Sequence, residues 1–246
     1  MSLHCELHAA AELDAGLRAA MYAVFERHYA ATTPERFAAD LAGKDRVLLL
    51  RDAAGTVQGF STLQLQQLEH QGVACRVLYS GDTVVARAHW GEQELAFSWL
   101  RLAGALQAER PELRHYWFLI SKGHRTYRYL PAFARRFLPH WSQGADGFEA
   151  GLLARLAAER FGAAYDPAAG VVRFAASQGH LRAELAEVDD RERRLDAVRF
   201  FLERNPGYAR GDELCCLCAL EPANLRPLAR RVFERGMAAA EAPCPA

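Results

Sequence analysis

Residues 116–120 read Tyr-Trp-Phe-Leu-Ile, a near-continuous apolar run of the kind shown by a strand covered on both faces. A chain containing such a strand has to supply packing layers above and below it. The fold class that follows is α/β. The material is at hand: 246 residues, 51% hydrophobic and 24% charged, are enough for one large domain, or one domain with an appended subdomain, to bury its core without disulfide staples.

The segments around that strand give the order of elements. Residues 4–8 suit a short first strand, and Leu13, Leu17, Met21, Val24, Phe25 and His28 recur at helical spacing. Thr32-Thr33-Pro34-Glu35 offers a cap, a proline and an acid for a second helix that stops at Gly43. Arg46 to Arg51, Val57 to Leu65 with a bulge at Gly59, and Val73 to Val85 read as a meander of three strands. The apolar pattern of the third breaks at Ser80-Gly81-Asp82-Thr83. A helix from about Gly91 to Ala108 carries Leu95, Trp99, Leu102 and Leu106 on one stripe and ends before Pro111. After the strand at 114–121, Thr126 to Leu138 reads as a further helix. A polar, glycine-containing stretch at 139–147 divides the chain into segments 1–143 and 144–246. The second reads as α+β: helix 149–161, strand 171–175, helix 191–204, strand 213–220 and helix 224–235.

Thirty basic residues balance thirty acidic ones, so there is no bulk field to hold nucleic acid or an anionic membrane surface. Only Lys44 and Lys122 among the basic residues are lysine, which with the abundant alanine reads as a bacterial-type composition bias. No stretch approaches the roughly 18 to 20 apolar residues of a bilayer span, and the first residues lack the order of a signal peptide. The expectation is a cytoplasmic protein with reduced thiols. Cys215, Cys216 and Cys218 crowd one strand-like run, a spacing unlike that of zinc ligands, and no metal is expected.

The order of three antiparallel strands, a crossover helix, a strand and another helix resembles the GNAT superfamily of acyl-CoA N-acyltransferases over residues 4–140. The resemblance implies a mixed sheet with a splayed central strand pair. It also implies an acyl-CoA whose pyrophosphate rests at the start of the crossover helix, where a helix N-terminus favours an anion. The corresponding stretch here is Arg87-Ala88-His89-Trp90-Gly91-Glu92-Gln93-Glu94. Arg87 and Gly91 match the family signature with one extra residue between them, and its second glycine is missing. Glu92 and Glu94 place negative charge where the pyrophosphate would lie.

The same resemblance points to the segment Ser121-Lys122-Gly123-His124-Arg125-Thr126-Tyr127-Arg128-Tyr129-Leu130, which follows the buried strand and concentrates hydrogen-bond donors. Two readings stand: a solvated helix start, or a site in which Lys122 and Arg125 contact anions and Tyr127 protonates the departing thiolate. Asp82 is the expected general base, its alternative being a bulge residue bonded to backbone amides. His89 is either a proton shuttle or a packing neighbour of Trp90.

The implied activity is transfer of an acyl group from CoA, or from the phosphopantetheine of an acyl carrier protein, to an amine of a small metabolite. Asp82 and Tyr127 serve as base and acid, with His89 as a further proton carrier. Arg87, Gly91, Lys122 and Arg125 hold the donor. The rival is the same scaffold with a degenerate CoA site, given to other chemistry or to binding a ligand or partner without catalysis.

Overall fold

The computed structural model describes residues 3–144 and 147–241, in the order β1 (His4–Ala9), α1 (Ala15–Phe25), β2 (Tyr29–Ala30), α2 (Pro34–Ala42), β3 (Arg46–Arg51), β4 (Val57–His70), β5 (Val73–Val85), α3 (Glu94–Glu109) and β6 (Arg114–Ser121). There follow α4 (His124–Tyr127), α5 (Tyr129–Phe133), α6 (Gly147–Phe161), β7 (Tyr165–Asp166), β8 (Val171–Val172), β9 (His180–Leu181), α7 (Ala183–Ala186), α8 (Asp190–Arg193), α9 (Asp196–Arg204), β10 (Glu213–Ala219) and α10 (Pro227–Glu241). The chain is α/β, and from β3 to α4 its order is the one that the resemblance implies, while β2 between the first two helices was not expected. Cys244 lies outside the described residues.

Two compact units divide the chain. The first comprises residues 1–25, 34–117 and 219–246, and the second residues 26–33 and 118–218. The 143/144 junction expected from composition falls inside the second unit.

In the first unit β1, β3, β4 and β5 are neighbours in that order, with β6 entering beside β5. The pairs β1–β3, β3–β4 and β4–β5 are antiparallel. β5 and β6 are joined through α3, the kind of crossover that parallel neighbours require. Val47, Leu48, Leu49 and Leu50 of β3 are buried in sequence, as are Tyr116 and Trp117 of β6, so both strands are covered on both faces. α10 lies against α3 through two glycines: a Cβ on Gly104 would stand 2.0 Å from the Phe233 carbonyl oxygen, and one on Gly236 1.9 Å from that of Arg101. Hydrogen at those positions is what lets the two backbones approach.

In the second unit the end of β6 is followed in the sheet by β10, β8 and β7. The helix expected over 126–138 is interrupted. α4 ends at Tyr127 with Arg128 as its C-cap, α5 restarts with Pro131 in its first turn, and Ala134 is extended with φ −123° and ψ 159°. The chain then runs to Leu138, which exchanges both backbone hydrogen bonds with Leu217 of β10, at 2.7 and 2.8 Å. Pairing with a buried strand outweighs the helical propensity of this stretch. The helix expected over 191–204 likewise breaks, at Leu195, whose extended backbone separates α8 from α9.

Candidate functional site

The residues singled out in the sequence fall into two groups, one in each unit. Asp82, Arg87, His89 and Gly91 belong to the first; Lys122, Arg125 and Tyr127 to the second.

In the first unit, Ser61 of β4 stands opposite Thr83 of β5, while Leu63 stands opposite Ser80. Gly81 and Asp82 therefore share a single partner position, Thr62. This is a bulge, and a bulge re-aims the side chains that it carries. Polar groups converge there. Ser61 Oγ and Thr83 Oγ1 are 2.9 Å apart. Ser80 Oγ accepts from both Trp99 Nε1 at 3.2 Å and Trp117 Nε1 at 2.9 Å. Thr62 Oγ1 is buried with no hydrogen-bond partner among the described residues. Asp82 itself is half-buried.

Beneath the bulge lies Lys44, which the sequence reading attributed to composition alone. Its side chain is 1% exposed, and its ammonium donates to Asp40 Oδ2 at 2.5 Å and to the Asp40 carbonyl at 3.1 Å. It also stands 5.8 Å from the centre of the Tyr79 ring. A Cβ on Gly81 would come within 2.5 Å of Lys44 Cε, so glycine makes room for the lysine. The signal was present in the sequence: in a chain that writes almost every basic residue as arginine, a retained lysine marks a position where a compact ammonium on a narrow stem is needed.

Past the bulge, β5 leads to a 3-10 turn at Arg87–His89. Trp90 Nε1 donates to the Val85 carbonyl at 2.8 Å, and the Arg87 guanidinium lies 5.8 Å from the Trp90 ring. Gly91 has φ +95°, a left-handed conformation that glycine adopts without a Cβ penalty. That reversal delays the expected start of the helix from Gly91 to Glu94. The two acids in this stretch are both engaged. Glu92 Oε1 is 3.2 Å from His89 Nδ1. Glu94 Oε1 accepts from Ser98 Oγ at 3.1 Å and from Arg101 Nη2 at 2.8 Å. Its partners four and seven residues on draw the Glu94 carboxylate along the helix and away from the first-turn amides. His89 is thereby tied to Glu92, which leaves it a partner to share rather than an open imidazole.

In the second unit, the anions that meet Lys122 and Arg125 are carboxylates of the chain. Lys122 Nζ lies 3.3 Å from Glu213 Oε1, with side-chain exposures of 13% and 8%, and 5.3 Å from the centre of the Tyr29 ring. Arg125 Nη1 donates to the Leu185 carbonyl at 2.8 Å, and its Nη2 lies 3.6 Å from Glu192 Oε2. The expectation of open donor contacts is therefore corrected: in this structure both cations are held by carboxylates of the chain.

Tyr127 requires the same correction. Its side chain is fully buried, and its hydroxyl donates to the Pro139 carbonyl at 2.7 Å. The rings of Phe137, Phe200 and Phe201 lie 5.9 to 6.0 Å away, centre to centre. Burial raises the phenol's pKa above the ordinary tyrosine value. A hydroxyl spent on a carbonyl and enclosed by three rings is not placed to protonate a leaving thiolate.

Cys215, Cys216 and Cys218 of β10 are all buried, and burial pushes the Cys215 thiol up to about 12. Among the described residues no group of three or more His, Cys, Asp or Glu side chains is placed to hold a metal ion. Nor is any described helix long and apolar enough to cross a membrane.

No family model matches the sequence, and no curated protein is significantly similar to it. Among solved structures the chain is similar to an Enterococcus faecalis V583 protein described as a probable N-acyltransferase, at 13% identity and a TM-score of 0.41, over 56% of this chain and 33% of that one. It is also similar to an Escherichia coli GNAT family N-acetyltransferase in complex with CoA, at 14% identity and a TM-score of 0.37, over 54% and 70% of the two chains. Glucosamine-6-phosphate N-acetyltransferase from Arabidopsis thaliana gives 9% identity and a TM-score of 0.37, over 59% of this chain and all of that one. The chain thus spans about a third of the length of the first of these.

Proposed function

We propose that the chain transfers an acyl group from a thioester, either CoA or a carrier-protein phosphopantetheine, to an amine of a small metabolite. The observation that carries this reading is the course of residues 80–101. Within one segment, a bulge presents Asp82, a left-handed Gly91 reverses the chain, and a 16-residue helix begins with its acids drawn aside. The first-turn amides of such a helix suit a pyrophosphate. The acids at 92 and 94 argued against that use in the sequence, but Glu94 is engaged by Ser98 and Arg101, and Glu92 by His89. Arg87, exposed and 5.8 Å from the centre of the Trp90 ring, supplies a cation to the same end.

In this reading Asp82 takes the proton of the incoming amine and Arg87 and Gly91 hold the donor. The proton for the departing thiolate comes from solvent or from the ammonium nitrogen of the tetrahedral intermediate, since Tyr127 is engaged elsewhere. The thioester C–S bond breaks as the amide C–N bond forms, and the thiolate leaves as the thiol. A second reading, binding of a ligand without turnover, draws on the missing second glycine.

Calorimetric titration with CoA and acetyl-CoA, with a thermal-shift scan alongside, tests the donor site, because a ligand bound to the folded state raises stability by mass action, and an amine-acylation assay separates the two readings. Micromolar binding that Arg87→Ala weakens, and amine acylation that Asp82→Asn slows without loss of donor affinity, are the expected results. Absence of binding at millimolar CoA would refute the CoA form of the proposal, and turnover unaffected by Asp82→Asn would refute the base.

A further inference from the structure

The turn after β6 holds a cluster for which acyl transfer has no use. His124 and Arg128 stand one helical turn apart, with Arg125 beside them, and the three side chains converge on Glu192 of α8. His124 Nε2 is 3.2 Å and Arg128 Nη1 3.5 Å from Glu192 Oε1, while Arg125 Nη2 is 3.6 Å from Oε2. All three separations exceed the roughly 2.7 to 2.9 Å of a charge-assisted hydrogen bond between nitrogen and a carboxylate. Two donors crowd one oxygen while the other oxygen receives one. The carboxylate is a poor match for the groups around it: one negative charge faces two guanidiniums and an imidazole that is 1% exposed.

The two guanidiniums and the carboxylate are reachable, while the His124 side chain is covered until Glu192 moves. Arg125 and Arg128 are 38% and 43% exposed and Glu192 19%. The hydrogen bonds described for α8 are local: Asp189 Oδ1 accepts from the Glu192 amide at 2.6 Å, and Arg193 Nε donates to the Val188 carbonyl at 3.1 Å. Turning the Glu192 side chain outward breaks none of them.

We propose that His124, Arg125 and Arg128 form a binding site for the phosphate group of a small molecule, and that Glu192 is its resident stand-in. A phosphate presents three free oxygens, one for each donor, and a charge closer to two than to one. Arginine pairs favour that geometry over a point cation. Glu192 leaves as the phosphate enters, so the resting ion pairs are exchanged for shorter ones. The site owes nothing to the acyl-transfer reading, and either can fail alone.

The test is calorimetric titration of the full chain with inorganic phosphate and with glycerol 3-phosphate, acetate at matched ionic strength serving as the control. Glu192→Gln removes the competing charge with little change of shape and should tighten phosphate binding at least tenfold. Arg128→Gln in that background should abolish it, which also separates this site from any phosphate held near Gly91. Tighter binding of glycerol 3-phosphate than of phosphate identifies a phosphorylated metabolite as the ligand; the reverse order identifies free phosphate. Equal phosphate affinity with and without Glu192, binding that ignores Arg128→Gln, or acetate binding as well as phosphate would each overturn the proposal. A readout that does not depend on the Glu192 variant is the thermal midpoint at millimolar phosphate. It should rise in the unaltered chain and stay fixed in Arg128→Gln, and equal rises would overturn the assignment.

Discussion

Replacing Tyr127 by phenylalanine separates a packing tyrosine from a proton donor. The substitution keeps the ring among Phe137, Phe200 and Phe201 and deletes only the hydroxyl that donates to the Pro139 carbonyl at 2.7 Å. A buried hydrogen bond contributes about 1 kcal/mol net, and leaving its acceptor unpaired costs about 1 to 3. Pro139 is half-buried, so water can partly replace the lost donor, and the expected loss lies near the lower end, at about 1 to 2 kcal/mol. For a chain of this size each kcal/mol moves the thermal midpoint by about 2 to 4 °C, giving an expected drop of about 2 to 8 °C. Urea unfolding should give the same free-energy loss with an unchanged denaturant slope. If amine acylation is found, its kcat should stay within about twofold, because a role outside the transition state leaves the barrier alone. A midpoint shift below about 0.5 °C, or a fall in kcat of a hundredfold or more with stability intact, would refute this account of Tyr127.

The close approach of α3 and α10 makes Gly236→Ala a severe change: the new methyl meets the Arg101 carbonyl oxygen, carbon and Cα at 1.9, 2.7 and 2.9 Å, all of them backbone. Overpacking of this kind costs about 1 to 3 kcal/mol or more, and a denaturation midpoint equal to that of the unaltered chain would show that the helices are not in contact there. His115 and His124 are both held below the ordinary histidine pKa of 6.5, chiefly by burial. A depressed pKa means that the folded state resists protonation, so their contribution is complete above pH 6.5 and is lost as pH falls through the folded values. His115→Gln should therefore flatten the decline of stability below pH 6.5, and an unchanged slope in urea titrations run from pH 8 to pH 5 would count against it. In a Cys244→Ser background, Cys5, half-buried with its thiol pushed up to about 11, should react first and slowly with a thiol reagent at pH 8. Cys75, Cys215 and Cys216 should react only on unfolding, and fast labelling of any of these three in the native chain would contradict their burial.

What the sequence disclosed and what it withheld divide along a physical line. β3, β5 and β6 begin and end where hydrophobic pattern and turn residues put them, because each is covered by its own packing and local turns stop it. The break at Ser80-Gly81-Asp82-Thr83 was visible for the same reason: small and polar residues in an apolar strand leave a local trace, and the structure resolves it as a bulge. The helix expected over 126–138 failed because the deciding interaction, Leu138 with Leu217, spans residues far apart in sequence. Tyr127 was misassigned for a related reason. A tyrosine at a helix start looks the same in sequence whether its hydroxyl faces a ligand or a carbonyl twelve residues on.

The two lysines make the same point in the other direction. Lys44 and Lys122 are the only lysines of the chain, with side chains 1% and 13% exposed, and each stands beside an aromatic ring and against a carboxylate: Tyr79 and Asp40 for one, Tyr29 and Glu213 for the other. Arginine, which this chain prefers everywhere else, carries a wider planar head with five donors to satisfy. Beneath Gly81 the lysine stem occupies space that a side chain on residue 81 would take, a notional Cβ there lying 2.5 Å from Lys44 Cε. A composition bias that looked like background therefore becomes informative at the positions that resist it. The same reasoning gives His124 and Arg128 their weight: a turn that gathers an imidazole and two guanidiniums around one loosely held carboxylate adds little to the stability of the fold, since both guanidiniums are more than a third exposed.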